Sequence, residues 1–440
     1  MDITQAIGNL AGFIAYNPVT LLFIVGTGLY LSLKLRWIQL RKLPSAWRLL
    51  WTKGSATGIS RFSTLSTALS ATVGTGNIAG VATAIILGGP GTLFWMWVTA
   101  VVGMATKFAE STLAVRFRRL NGDIAGGPMY TLYDGLGFKK LAILFAVFGV
   151  FTSLALGNLV QANSVVDGLA FIWPEAKQNG VWIGISLAIP TAMVILGGIV
   201  RIARLASVIV PLMSLLYLIA VILVIVDHID VLPQAIGSVF NEALNIQAVG
   251  AAAIGEAIRW GVIRGLFSNE AGLGSSAIIH AAANTEKPAE EGLIAMLEPL
   301  IDTLIICTLT GLTLIVTGAA AAADAGQSAS VTAAAFATTL GPAGAYVVSF
   351  SLILFAFSTL LAWSYLGDRC CIFLLGPHSV TAYRWVFIGF VVLGASVPLR
   401  LVWSIADITA VLMAIPNLIA IWWLLPTLIK LSKQLREPSY

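Results

Sequence analysis

Charge is what this sequence has least of. Asp, Glu, Lys and Arg make up 10% of its 440 residues, against about 25% in soluble domains, which excludes an ordinary water-soluble fold. Cysteine and histidine are nearly as scarce, with three of each. Cys307, Cys370 and Cys371 lie in or beside apolar runs with no CxxC or Cys/His spacing, so they read as small buried hydrophobes. His228, His280 and His378 are scattered and form no metal pattern. No HExxH, GxSxG or P-loop is present. ATP-driven pumping and intramembrane proteolysis therefore have no support, and the chain is not read as an enzyme. The N-terminus, MDITQAIGNLAGFIAYNP, lacks the positive start of a cleaved signal peptide. The net charge of +5 implies no nucleic-acid partner, because most Lys and Arg gather between apolar runs.

Those runs are what the sequence has in abundance: 58% of it is hydrophobic. Eleven stretches reach the length of a span, about 20 residues across ~30 Å of hydrocarbon: 18–36, 62–87, 91–115, 140–171, 180–199, 203–227, 247–282, 291–318, 342–367, 384–398 and 402–426. They are continuous rather than alternating, which excludes a β-barrel. The expectation is an all-α polytopic protein, multi-pass in the plasma (inner) membrane, with the lipid bilayer as its surroundings. Between the first two runs, Trp37, Trp47 and Trp51 mix with seven basic residues in a segment suited to the membrane interface. With the N-terminus outside, the inside loops and tail hold 20 of the 25 Lys and Arg and the outside loops only Lys177 and Arg400. That asymmetry predicts N-terminus out and C-terminus cytoplasmic.

Setting the first run aside leaves ten, or five plus five, and the first member of each five is interrupted. One interruption is SATVGTGNIAG around residues 74–77, the other RWGVIRGLFSNEAGLGSS, residues 259–276. A repeat of five places its copies in opposite orientation, and matched interruptions point to a transporter site. The division expected is 1–61 for the leading helix and interfacial segment, 62–230 and 231–427 for two inverted repeats, and 428–440 for a cytoplasmic tail.

A break at Val73–Asn77 frees carbonyls that suit a hard cation such as Na⁺. It also creates a half-helix N-terminus that suits a carboxylate. The competing reading is close helix packing through small residues. In the second break, Ser268 or Asn269 caps the next half-helix, and Glu270 is either a cation ligand or the partner of Arg259 or Arg264. Gln161 and Asn163 either contact substrate or join helices. Ser358 and Thr359 either bond their own helix or complete a Na⁺ shell with carbonyls of residues 70–73. Trp363 walls a pocket or simply packs. Glu110, Glu298, Asp302 and Asp407 are further intramembrane carboxylates.

GTGNIAGVATAI, AGGPMYTLYDGLG, GNLVQANSV, RGLFSNEAGLGSSAIIHAAA, IDTLIICTLTGL and MAIPNLIA resemble the alanine/glycine:cation symporter family from about residue 55 to 425. The resemblance implies a leucine-transporter-type fold, two inverted five-helix repeats behind one leading helix, and Na⁺-coupled uptake of small neutral amino acids, chiefly alanine and glycine. Matched by motif, it implies substrate contacts at Thr72, Thr75, Gly76, Asn77, Gln161, Ser268, Asn269, Ala271, Gly272 and Trp363. It implies sodium ligands at Ser70, Val73, Ser358 and Thr359, with Glu270 a possible coupling residue. GGPMY, Gly126 to Tyr130, reads as structural or gating. Ala410–Val411 and Glu298–Pro299 depart from the family's commoner forms and mark a side branch. The alternative is a proton-coupled small amino-acid transporter of the same fold, with Glu270 or Glu298 carrying the proton.

Overall fold

The computed structural model describes residues 3–52, 59–120, 124–245, 250–323 and 328–435. Part of the interfacial segment, the start of the 247–282 run and the end of the 428–440 tail lie outside the described residues. Everything described is helical apart from loops and two isolated backbone bridges, Ile59 with Ala283 and Arg119 with Ala125.

Among the described residues, six helices are long and apolar enough to cross a membrane, and eight when two bent pairs each count as one span. Eleven were expected, and the difference has local causes. The runs at 180–199 and 384–398 become Gly180–Ile195 and Ser379–Gly394, 16 residues each, or about 24 Å of helix. The 247–282 run becomes Ala251–Asn269, which carries Glu256, Arg259 and Arg264, followed by the short Ser275–His280 helix. The leading run, Pro18–Lys34, is preceded by a helix the sequence reading did not contain. Ile3–Ile14 meets Pro18–Lys34 at 46°, where Asn17 caps the Val19 N–H and Pro18 opens the new helix. A helix absent from the sequence reading, Ala329–Leu340, fills part of the stretch between 318 and 342.

Two helices organise the bundle. Thr92–Arg116 packs on Pro18–Lys34, Ala251–Asn269, Ser275–His280 and Pro288–Ala295. Pro342–Leu375 packs on Arg61–Thr72, Lys139–Leu154, Gly198–Asp227 and Ala329–Leu340. Burial separates centre from periphery. The most apolar window of Thr92–Arg116 is 72% buried and that of Gly198–Asp227 only 33%, so the latter turns most of its apolar surface toward lipid.

Between these two helices lie the interrupted ones. Arg61–Thr72 and Ala79–Gly88 flank the first break, Ala251–Asn269 and Ser275–His280 the second. Arg61–Thr72 packs on Ser275–His280, and Ala79–Gly88 packs on Ala251–Asn269. The two broken helices therefore run antiparallel, and their breaks sit at one level of the bundle.

Close approach depends on small residues. A Cβ on Gly261 would stand 2.6 Å from the Thr92 carbonyl oxygen and from Trp95 Cβ. Gly261→Val should destabilise the protein by about 1–3 kcal/mol through overpacking, read as a lower melting temperature in detergent.

Candidate functional site

The first broken helix stops because Gly74 and Gly76 weaken it and because its backbone is given other partners. Val73 leaves the helical region at ψ 87°, a single tight turn covers Thr75–Asn77, and the halves meet at 59°. Gly74 N–H donates to Asn77 Oδ1 at 2.8 Å. Thr75 N–H and its hydroxyl both donate to Gln161 Oε1, at 3.2 and 3.0 Å. Asn77 N–H turns to the Gly74 carbonyl. The carbonyls of Ser70, Ala71 and Val73 thereby lose the donors an unbroken helix would supply.

In the second break, Glu270 takes a left-handed conformation at φ 54°. Gly272 and Gly274 follow at φ 92° and 78°, which glycine adopts without strain. Glu110 stands in for the missing acceptors. Its Oε2 receives the Gly272 and Gly274 N–H groups, both at 3.2 Å, and Asn417 Nδ2 at 2.9 Å. Glu270 receives the Ser275 hydroxyl at 2.5 Å and the Trp363 indole N–H at 3.1 Å. Neither arginine is its ion-pair partner, because Arg259 pairs with Glu256 and Arg264 with Asp407.

The breaks meet through a buried polar knot. Asn77 Nδ2 lies 2.6 Å from Asp302 Oδ1 and 3.3 Å from Ser268 Oγ. Ser268 and Thr303 hydroxyls donate to Asp302 Oδ2 at 2.6 and 2.7 Å. Asp302 and Thr303 belong to a widened π turn, Leu300–Cys307, directly after Pro299, a common setting for functional side chains. Gly76 keeps partial exposure at this buried level, and a Cβ there would stand 3.9 Å from Ser268 Cα. Asn269 turns its Oδ1 back to the Ala271 N–H at 3.0 Å.

Among the expected cation ligands, Thr359 differs from the rest. Its Oγ1 is buried with no hydrogen-bond partner and would lie 2.6 Å from a Cβ on Gly74, so it faces the break. Ser358 donates to the Phe355 carbonyl at 2.9 Å and lies against Met213. Ser70 donates to the Thr67 carbonyl at 2.7 Å, and Thr72 hydroxyl lies 3.4 Å from the Leu69 carbonyl. All three bond their own helix, the alternative that the sequence had left open for Ser358. Asn163 ties to the Gly394 and Val397 carbonyls and so joins helices. Trp363 is fully buried and packs so tightly on Gly157 that a Cβ there would come within 2.2 Å of it.

At one end the bundle is closed by Arg264, 3.5 Å from Asp407 and stacked over Trp403 at 4.2 Å. Tyr16, from the leading bent pair, donates to the same aspartate. At the other end Arg61 pairs with Glu290 at 2.6 Å, and Arg118 grips the Ala281, Ala283 and Thr285 carbonyls. The GGPMY stretch underlies this end, since a Cβ on Gly127 would meet Ile278 at 2.6 Å. Nearby, Arg119 is held well charged by its bonds to Asp134, which raise its pKa. A cavity of about 560 Å³ opens here between Ile59, Ser63, Ala203, Arg204, Ala282 and Arg369.

Sequence reasoning noticed Glu110, Asp302 and Asp407 but assigned them no place at the site, and it gave no role to Lys107, Tyr16 or Asn417. The available signal was that Lys107 lies in the interior of an apolar run, whereas Lys34 and Lys140 lie at run ends, so it requires an intramembrane carboxylate.

The comparisons with known proteins agree among themselves. The family model described as the sodium:alanine symporter family matches residues 1–438. The chain is 44% identical to the sodium/alanine symporter AgcS of Methanococcus maripaludis, covering 99% of this chain and 98% of that protein. It is 35% identical to the amino-acid carrier protein AlsT of Bacillus subtilis, covering 90% and 85%, and 34% identical to the probable sodium/glutamine symporter GlnT of the same organism, covering 96% and 89%. Its fold is that of MhsT, solved in complex with L-phenylalanine, with a TM-score of 0.62 at 12% identity over 88% of this chain and 94% of that one.

Asn77→Ala strips the Gly74 N–H and the Asp302 carboxylate of partners in a dry site. It should cost about 1–3 kcal/mol, measured as a fall in thermal stability in detergent without any ligand.

Proposed function

The chain belongs to the sodium:alanine symporter family, and from that premise we propose that it couples entry of Na⁺ to entry of a small neutral amino acid, alanine or glycine. It is a transporter of the amino-acid symport class, not an enzyme. Supporting the finer reading is one observation above the others: Thr359 Oγ1, buried and unpartnered, faces a break whose carbonyls have lost their donors. A hydroxyl and several carbonyls converging in a dry site are the donor set of a hard monovalent cation, and an unbroken helix would leave no reason for it.

The amino acid takes the neighbouring space. Its carboxylate accepts the Thr75 N–H and hydroxyl that Gln161 Oε1 now receives, so Gln161 acts as a carboxylate surrogate in the closed site. Its ammonium faces the second break at Ser268, Asn269, Ala271 and Gly272. The open side of Gly76 toward Ser268 admits a small side chain, with Trp363 behind the site. Eleven crossings, two inverted repeats over 62–230 and 231–427, an outside N-terminus and a cytoplasmic C-terminus complete the reading. It puts Arg264–Asp407 at the outer face and Arg61–Glu290 at the cytoplasmic face. Alternating access follows when one seal parts while the other holds.

Na⁺-driven alanine uptake into proteoliposomes tests this. Thr359→Ala should raise the Na⁺ concentration for half-maximal uptake at least about tenfold, the equivalent of one lost ligand, with an unchanged melting temperature. An unchanged Na⁺ dependence would refute the ion site. Replacing Na⁺ by choline at fixed pH should stop concentrative uptake. Uptake that continues would transfer the coupling to protons, the reading that the buried carboxylates favour.

A further inference from the structure

The last residue of the Ser275–His280 helix is bonded through both ring nitrogens. His280 Nδ1 lies 2.7 Å from Glu291 Oε1, and Nε2 lies 2.8 Å from Glu298 Oε1. All three side chains have no exposure. Each of these contacts requires a hydrogen between nitrogen and oxygen. A neutral imidazole carries one, and two ionised carboxylates carry none. The triad therefore holds one proton more, either as imidazolium between two carboxylates or as imidazole beside one carboxylic acid. Both forms have a net charge of minus one. Lys107 balances it, with Nζ 3.1 Å from Glu298 Oε2 and 2.6 Å from Ser276 Oγ.

This assembly joins the moving parts to the frame. His280 and Ser276 belong to one half of the second broken helix. Lys107 belongs to Thr92–Arg116, Glu291 to Pro288–Ala295, and Glu298 follows shortly after. Two residues beyond His280, Ala282 lines the cavity of about 560 Å³. Glu291 Oε2 is buried with no partner, which leaves a second place for a proton.

We propose that the Glu291–His280–Glu298 triad is a proton-binding site that latches the Ser275–His280 half of the second broken helix, and that its proton leaves to water in the adjoining cavity when that half swings open. Loss of the proton takes the triad from minus one to minus two and leaves one nitrogen facing a carboxylate with no hydrogen between them. In a dry site that is repulsive, so the latch parts. The closed form holds the proton and is favoured as pH falls. Opening is favoured as pH rises through the triad's titration.

The other charged groups that face this half-helix are already engaged. Glu110 lies 3.9 Å from Lys107 and takes the break's N–H groups. Glu270 is held by Ser275 and Trp363. Arg61 pairs with Glu290, and Arg118 takes the carbonyls beyond His280. On Pro342–Leu375, Asp368 pairs with Arg384 and Arg369 stacks on Tyr365.

The latch rests on the transporter reading, yet it can be tested without transport. Ala203→Cys places a thiol at the cavity wall, where Ala203 is 3% exposed; the native cysteines are buried, and the protein without the new thiol gives the background. In purified protein free of Na⁺ and amino acid, the rate of maleimide labelling, corrected for the reagent's own pH dependence, should rise between about pH 5 and pH 9. Its slope should reach up to about tenfold per pH unit, as one proton allows. His280→Gln and Glu291→Gln, each in the Ala203→Cys background, should move the midpoint by at least about one pH unit. A corrected rate that is flat with pH in the parent overturns the proposal even if neither variant folds. So does an unmoved midpoint in either folded variant. Failure of the Na⁺ uptake test with a normal labelling profile would overturn the symport reading and leave the latch standing.

Discussion

A peptide group inside hydrocarbon has no water to bond, so every N–H and C=O that leaves a helix must find another partner. That requirement explains most of the polar residues in this bundle. Gly74 N–H has Asn77, Thr75 N–H has Gln161, and the N–H groups of Gly272 and Gly274 have Glu110. Each acceptor is a side chain, from the break's own turn in the case of Asn77 and from another helix in the cases of Gln161 and Glu110. Interrupted backbone of this kind is therefore held by side chains rather than by its own helix. An unbroken helix is satisfied within itself and offers nothing to a solute.

The same scarcity of water governs the charges. At the two ends of the bundle opposite charges meet directly, Arg264 with Asp407 and Arg61 with Glu290. At the middle level the breaks are bridged by amides, hydroxyls and the Asp302 carboxylate, with no basic side chain against that carboxylate among the described residues. Both pairs are largely buried, so breaking either one without another partner leaves a charge uncompensated, and an unpaired charge at the centre likewise costs several kcal/mol. The Lys107–Glu298–His280–Glu291 chain is the exception, a run of charges inside the protein, and its shared proton is what allows it to remain packed.

Much of the fold was legible because hydrophobic length and helix weakness are local properties. The apolar runs located most of the long helices, though not Ile3–Ile14 or Ala329–Leu340, and the run 342–367 stops eight residues short of Leu375. Not every run becomes a helix long and apolar enough to span by itself, because Gly180–Ile195 and Ser379–Gly394 are short and Ala251–Asn269 carries three charges. Both interruptions were visible in the glycine and asparagine content. Of the residues singled out from the sequence, Asn77, Gln161, Ser268 and Thr359 lie together around the breaks, while Ser70, Thr72 and Ser358 bond their own helices. A hydroxyl's direction depends on its rotamer and its neighbours, and neither is encoded by spacing.

The amino-acid sequence by itself determined that the chain is a helical membrane protein, where its helices break, and that charges would be buried among them. Those outcomes follow from free energies of transfer and from backbone propensity, both set by a few adjacent residues. Only the tertiary structure decided that Glu270 bonds Trp363 rather than an arginine, that Tyr16 joins Asp407 from 391 residues away, and that His280 lies between two glutamates. Several buried groups of each sign competed for those pairings, and the packing of helices distant in sequence selected among them.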